Sequence, residues 1–144
     1  MRNKSLEILL IEDNPGDVRL TQEALSDSQI TCHLNVVCDG VEAMNYLRKK
    51  GRYLSSARPD IILLDLNLPK KDGREVLHEI KTDTDLKRIP VIILTTSANE
   101  QDVSQAYELC ANCYILKPVD IDGCLKIFRS VKNFWCNQVT LPPG

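Results

Sequence analysis

Glu12 and Asp13, Asp65 with Asn67 two residues on, Thr95, and Lys117 are the residues of this chain whose types could do chemistry together. Carboxylates gathered in one place repel one another and stay ionised together only with a cation among them. A hard divalent ion is the obvious candidate. Magnesium prefers oxygen ligands and is held by one or two carboxylates plus phosphate oxygens, which suits Asp13, Asp65 and a loop carbonyl near Asn67. Lys117 adds a mobile point charge and Thr95 a hydroxyl donor. A carboxylate beside such an ion and a lysine is equipped to attack a phosphoryl group, because that transfer rests on in-line positioning and neutralisation of oxygen charge. Attack by Asp65 would give an aspartyl phosphate. Singly, each residue has a plain use: Asp65 could end a strand, Glu12 and Asp13 a solvated turn, and Lys117 could be a surface lysine. Together they make coincidence a poor explanation.

That chemistry requires elements that bring the residues to one place. Residues 61–64 are four consecutive aliphatics, too short for a membrane span and without helical periodicity, so they read as a strand buried on both faces. Asp65 ends the run, and Pro69, Asp72 and Gly73 make the turn that follows. Residues 6–11 form a similar run, interrupted only by Glu7 and tipped by Glu12 and Asp13. Asn14 is placed to cap a helix, with Pro15 at its first position and Asp17 three residues after the cap, and that helix should run to about Asp27. Residues 33–38 are a third run, after which Asp39 and Gly40 start a helix carrying Val41, Met44, Tyr46 and Leu47 towards Lys50. Residues 51–59 make a long polar connection.

Val76, Leu77 and Ile80 recur at helical spacing, and the charged stretch 81–88 closes that helix. Residues 90–94 are the fourth strand; Ser97 with Glu100, or Asn99 with Asp102, could cap the next helix, to about Leu109. Residues 114–116 are the fifth strand, tipped by Lys117 and Pro118, and Asp120 caps a last helix. Five strands alternating with five helices predict an α/β, doubly wound, flavodoxin-like fold: a parallel sheet covered on both faces by right-handed crossovers. All strand ends then share one edge, which collects Glu12, Asp13, Asp65, Thr95 and Lys117.

The 144 residues suit one domain, 1–144, with about 137–144 as a C-terminal extension. A net charge of −2 with 26% charged residues offers no basic field, so direct nucleic-acid binding is not expected. The apolar runs are too short for a membrane role and the N-terminus lacks a signal-peptide core, which gives a cytoplasmic expectation. Six scattered cysteines read as buried thiols; Cys110 and Cys113 have redox or zinc spacing but no second pair.

With Glu12 and Asp13, Asp65 followed by Pro69 and Gly73, Thr95, and Lys117 with Pro118 each ending its strand, the chain resembles the CheY-like receiver domains of two-component response regulators. The resemblance covers almost the whole chain and implies strand order 2-1-3-4-5. It further implies that Asp65 is the phosphoacceptor, Asp13 a direct metal ligand, Glu12 a ligand through water and Asn67 the carbonyl ligand, for Mg2+ or Mn2+. Thr95 would be the switch hydroxyl, Lys117 the phosphate's counter-ion and Tyr114 the aromatic switch. The segment 65–77, Tyr107 to Leu109 ahead of Asn112 to Tyr114, and the tail from Phe134 and Trp135 are similar to small regulators that serve cyanobacterial phytochromes. The resemblance therefore implies a sensor histidine kinase of the bacterial phytochrome kind as partner, and a signalling domain that assists its own phosphorylation and dephosphorylation rather than an enzyme.

Other readings use the same residues. A haloacid-dehalogenase-like phosphatase needs a second Asp where Asn67 stands, which cannot move a proton. A flavodoxin-like cofactor binder would have its phosphate repelled by Glu12 and Asp13. A degenerate receiver serving only protein contact is disfavoured by the intact set. Finally, the last helix bears Leu125, Ile127, Phe128, Val131, Phe134 and Trp135, more than one stripe, so a homodimer, or a monomer that dimerises on phosphorylation, is expected through Phe128, Phe134 and Trp135, with tail residues 139–143 folding back as the alternative.

Overall fold

The computed structural model describes residues 6–26, 32–118, 120–135 and 139–143. Five parallel strands, β1 (Leu6–Ile11), β2 (Cys32–Val37), β3 (Ile61–Leu64), β4 (Val91–Thr95) and β5 (Cys113–Leu116), form one sheet in the order β2-β1-β3-β4-β5. Between and after them run α1 (Pro15–Ser26), α2 (Gly40–Leu47), α3 (Gly73–Thr82), α4 (Glu100–Glu108) and α5 (Ile121–Asn133). In register, Ile11 lies opposite both Val37 and Leu64, Leu64 opposite Ile93, and Thr95 opposite Leu116. The carboxyl ends of the strands are thus level, and residues just past them share one edge.

Period-two alternation divides the core into two layers. Leu9, Ile11, Ile62, Leu64 and Ile93 pack on one face with Met44 and Leu47 of α2, Val76, Leu77 and Ile80 of α3, and Ala106 of α4. Ile8, Leu10, Ile61, Leu63, Ile92 and Leu94 pack on the other with Ala24 and Leu25 of α1 and Cys124, Phe128 and Val131 of α5. Because β3 contributes to both layers all its side chains are buried, which is why its sequence shows an unbroken aliphatic run instead of alternation.

Several boundaries differ from the sequence expectation. α2 stops at Leu47, with Lys49 in the left-handed region at φ 55°, so the helix does not reach Lys50. The charged stretch after α3 does not continue that helix: α3 ends at Thr82, and Leu86–Arg88 is a separate 3-10 turn that buries Leu86. A second 3-10 turn, Gly51–Tyr53, lies in the long connection before β3. α1 is described to Ser26, and Asp27 lies outside the described residues, as do Cys136 and Asn137. Among the described cysteines only Cys124 is buried; Cys38 and Cys110 are exposed, which corrects the expectation of buried thiols. No helix among the described residues is long and apolar enough to cross a membrane.

Candidate phosphoryl-acceptor and metal site

Asp65 is held where β3 leaves the sheet. Its backbone amide donates to the Ile11 carbonyl at 3.1 Å, which continues the ladder between β1 and β3 by one residue. The chain then turns at once. Leu66 is fully buried, and the Gly73 amide donates to its carbonyl at 2.9 Å, tying the start of α3 to the residue after Asp65. A Cβ at position 73 would collide with the Asp65 carbonyl oxygen and Leu66, so only glycine permits this approach. Asp72 supplies the α3 cap, its carboxylate accepting from the Arg74 amide. Gly40 plays a matching part: a Cβ there would meet the Lys71 backbone, so α2 starts directly against the loop that follows Asp65.

Glu12 and Asp13 reach the same place from β1. The Glu12 amide donates to the Val37 carbonyl at 3.0 Å, and its carboxylate accepts from the Asn14 amide at 3.2 Å. Asn14 caps α1, its side-chain oxygen accepting from the Asp17 amide at 3.1 Å. Asp17 does not complete a capping box, as its spacing suggested; its carboxylate turns instead to Lys117. Lys117 is delivered by β5, its backbone amide bound to the Thr95 carbonyl at 2.8 Å.

The result is a convergence of opposite charges. Lys117 Nζ lies 2.5 Å from Glu12 Oε1, 2.9 Å from Asp17 Oδ2 and 3.1 Å from Asp65 Oδ2. Glu12 is 2% and Asp65 7% exposed, whereas Asp13 faces solvent. Burial pushes the Glu12 carboxyl up to about 7; the Lys117 hydrogen bond opposes this and the Asp65 charge reinforces it. Burial alone would weaken the Lys117 ammonium, but Asp17, Glu12 and Asp65 outweigh it and raise its pKa.

One lysine therefore serves more carboxylates than it neutralises. Glu12, Asp13 and Asp65 each offer an oxygen, and the three oxygens lie within 4.8 Å of one another. An all-oxygen, carboxylate-rich trio with one open side fits a hard divalent cation, which would offset the mutual repulsion of the three carboxylates. The Asn67 amide donates to Asp65 Oδ1 at 3.2 Å, which holds the Asn67 backbone beside Asp65.

Thr95 is fully buried at the end of β4, its hydroxyl oxygen accepting from the Ser97 amide at 3.4 Å. Tyr114 is half-buried against the α3 and α4 layer and donates its hydroxyl to the Ser97 carbonyl at 2.8 Å. Ser97 also donates to Asp102 at 2.6 Å, and Arg74 of α3 donates to Asp102 at 2.8 Å. The Ser97 hydroxyl, and then Arg74, hold the Asp102 carboxyl below its usual range. Asp102, proposed from sequence only as part of a cap, thus joins α3 to the loop after β4, while Asn99 caps α4 by accepting from the Gln101 amide at 2.8 Å.

Four residues were not foreseen in these roles: Asp17, Ser97, Arg74 and Asp102. For Asp17 a signal existed, namely a fourth acid one helical turn beyond the acidic pair, on a helix that begins at the same sheet edge. Of the three aromatic residues expected at an interaction surface, Phe128 is 2% exposed and fills the core, so it presents no surface. Phe134 is exposed and packs edge-on against Trp135, with ring centroids 5.5 Å apart. The Val139 amide donates to the Phe134 carbonyl, and Leu141, like Trp135, packs against the α1 and α5 layer, so the tail returns to the domain at Val139 and Leu141.

Residues 8–129 match the response regulator receiver domain model. Response regulator Rcp1 of Synechocystis sp. is 53% identical over 135 residues, covering 94% of this chain and 92% of Rcp1. A crystal structure of the phosphorylated cyanobacterial phytochrome response regulator RcpA superposes with a TM-score of 0.93 at 51% identity, over 97% of this chain and 100% of that one. The Mn(2+)-bound form of Rcp1 gives 0.90 at 52% identity, over 96% and 99%. The chain belongs to the response regulator receiver domain family, and its relatives include phytochrome response regulators.

Proposed function

We propose that this chain accepts a phosphoryl group on Asp65 from a sensor histidine kinase of the phytochrome class, with Mg2+ or Mn2+ held by Glu12, Asp13, Asp65 and the Asn67 carbonyl. The observation that carries this reading is the convergence of three carboxylate oxygens and the Lys117 ammonium on the loop after β3. The Mn(2+)-bound structure of the relative Rcp1 supports a divalent ion in this family. A bound cation would screen the carboxylates and draw charge from the phosphoryl oxygens. Asp65 supplies the attacking carboxylate oxygen, and the donor's imidazole nitrogen leaves as the phosphorus–nitrogen bond breaks. Lys117 then pairs with a phosphoryl oxygen.

The readout is carried by Thr95 and Tyr114. Thr95 turns its hydroxyl to the new dianion and gives up its contact with the Ser97 amide. Tyr114, bound to the Ser97 carbonyl, follows that loop inward, and the surface of α4, β5 and α5 changes. Exposed Tyr107, Leu116 and Phe134 belong to these elements or directly follow them, and a second copy of this chain is the proposed occupant of that face. A kinase would find the chain in the cytoplasm.

Phosphotransfer tests the reading: phosphate should pass from a histidine-phosphorylated phytochrome kinase to the chain and stop on chelation of divalent ions. Transfer that survives chelation contradicts the metal role. For the dimer, sedimentation of the full chain, Trp135→Ala and a truncation after Asn137 should show phosphorylation-dependent self-association in the full chain; three monomers under all conditions reject it.

A further inference from the structure

We propose that Asp17 is a positioning residue for Lys117, keeping the ammonium beside Asp65 while Glu12 and Asp65 serve the cation and the incoming phosphoryl group. This deepens the phosphoryl-acceptor reading and rests on it. Lys117 has three carboxylate partners, Glu12, Asp17 and Asp65. Two of them belong to the trio whose oxygens converge, and Asp17 does not. Asp17 is therefore the partner that Lys117 can retain when the other two are committed elsewhere.

The local structure equips Asp17 for that task. Its amide is fixed by the Asn14 side chain and its carbonyl accepts from the Thr21 hydroxyl at 2.8 Å, so the carboxylate projects from a settled first turn. The side chain is 37% exposed, so water can satisfy the oxygen lone pairs that Lys117 leaves free, unlike those of buried Glu12. At the other end, the Lys117 backbone is pinned to Thr95, which leaves only its four-carbon stem to wander. An ammonium on such a stem takes its place from its partners, and Asp17 is the one supplied by α1 rather than by the end of β1 or β3.

The test measures phosphoryl uptake by the full chain from acetyl phosphate at saturating Mg2+. Asp17→Asn should slow uptake about tenfold, the scale of a lost charge-assisted hydrogen bond, and Asp17→Glu should recover most of it. In a Lys117→Ala background, Asp17→Asn should slow uptake no further, because its effect runs through the lysine. On the folded protein, the Lys117 ammonium resonance should persist by NMR when Mg2+ is added to the wild type and broaden away in Asp17→Asn. No uptake by the wild type overturns the phosphoryl reading itself. Uptake by the wild type with an equal rate in Asp17→Asn overturns this inference alone, as does a further slowing in the Lys117→Ala background or a persistent resonance in Asp17→Asn.

Discussion

Asp60 and Asp65 flank the same strand, β3, and their surroundings differ in kind. At the amino end, Asp60 exchanges two hydrogen bonds with one residue of β1: its amide donates to the Glu7 carbonyl at 2.7 Å and its carboxylate accepts from the Glu7 amide at 2.8 Å. Asn112 does the same for β4, accepting from the Val91 amide and donating to the Val91 carbonyl. Lys81 reaches the carbonyls of Lys87 and Ile89. Polar side chains at that edge finish the backbone ladders and are satisfied by them. At the carboxyl end, Asp65 shares a single ammonium with Glu12 and Asp17, beside exposed Asp13. Residue type and strand-end position are equal for the two aspartates; what separates them is whether the protein itself completes their partners. At the carboxyl edge negative charge is left over, which is the basis for proposing a cation and a phosphoryl group there.

The sharpest structural disturbance of the contrast is Gly73→Ala. Its Cβ must displace the Asp65 carbonyl or Leu66, so a stability loss of roughly 1–3 kcal/mol from overpacking is expected. Phosphoryl uptake should fall with it because Asp65 moves. Normal uptake in a destabilised variant would show that the site tolerates movement of its loop.

Asp60→Ala should cost a comparable or smaller amount, about 1–2 kcal/mol, by leaving the Glu7 amide without its acceptor. Here uptake from acetyl phosphate should be unchanged. Denaturant melts together with uptake rates separate the two edges; loss of uptake in Asp60→Ala would erase the distinction between them.

The third effect is a pH dependence at the carboxyl edge, and the change that Asp65→Asn makes to it is the smallest of the three. The Glu12 carboxyl is raised from an ordinary 4.5 to about 7, by burial first and with the Asp65 charge contributing. A carboxyl with a raised native pKa contributes stability that is full below its unfolded value and is lost as pH climbs through the native one. The metal-free protein should therefore lose stability between about pH 4.5 and 7 through this group, less steeply in Asp65→Asn. Added Mg2+ should stabilise the folded state through binding. Parallel melting curves for wild type and Asp65→Asn across that window would remove Asp65 from the account of Glu12.

Much of the site was legible because buried parallel strands announce themselves as short aliphatic runs, and alternation with helices sends every run's end to one edge. Glu12, Asp13, Asp65, Thr95 and Lys117 could be placed together on that ground alone. Asp17 could not, since its spacing from Asn14 suits a helix cap equally well and its partner is 100 residues away. The tie from Tyr114 through Ser97 and Asp102 to Arg74 depends on side-chain directions across three elements, which periodicity does not encode. Phe128 and Phe134 illustrate a similar limit: both look like surplus apolar residues on α5 and its continuation, yet helix phase buries one and exposes the other. The charged stretch after α3 hid a 3-10 turn because Leu86 is its one apolar anchor.

The central claim, that the phosphoryl group is taken by the aspartate at the incomplete edge, is tested most directly by site-mapped uptake from acetyl phosphate. Wild type, Asp60→Asn and Asp65→Asn would be compared with and without Mg2+, and the hydroxylamine-labile phosphate located by peptide mass spectrometry. The account predicts Mg2+-dependent phosphate on Asp65 in wild type and Asp60→Asn, and none in Asp65→Asn. Wild-type levels of labile phosphate in Asp65→Asn, or phosphate mapped to any other carboxylate in the wild type, would contradict it.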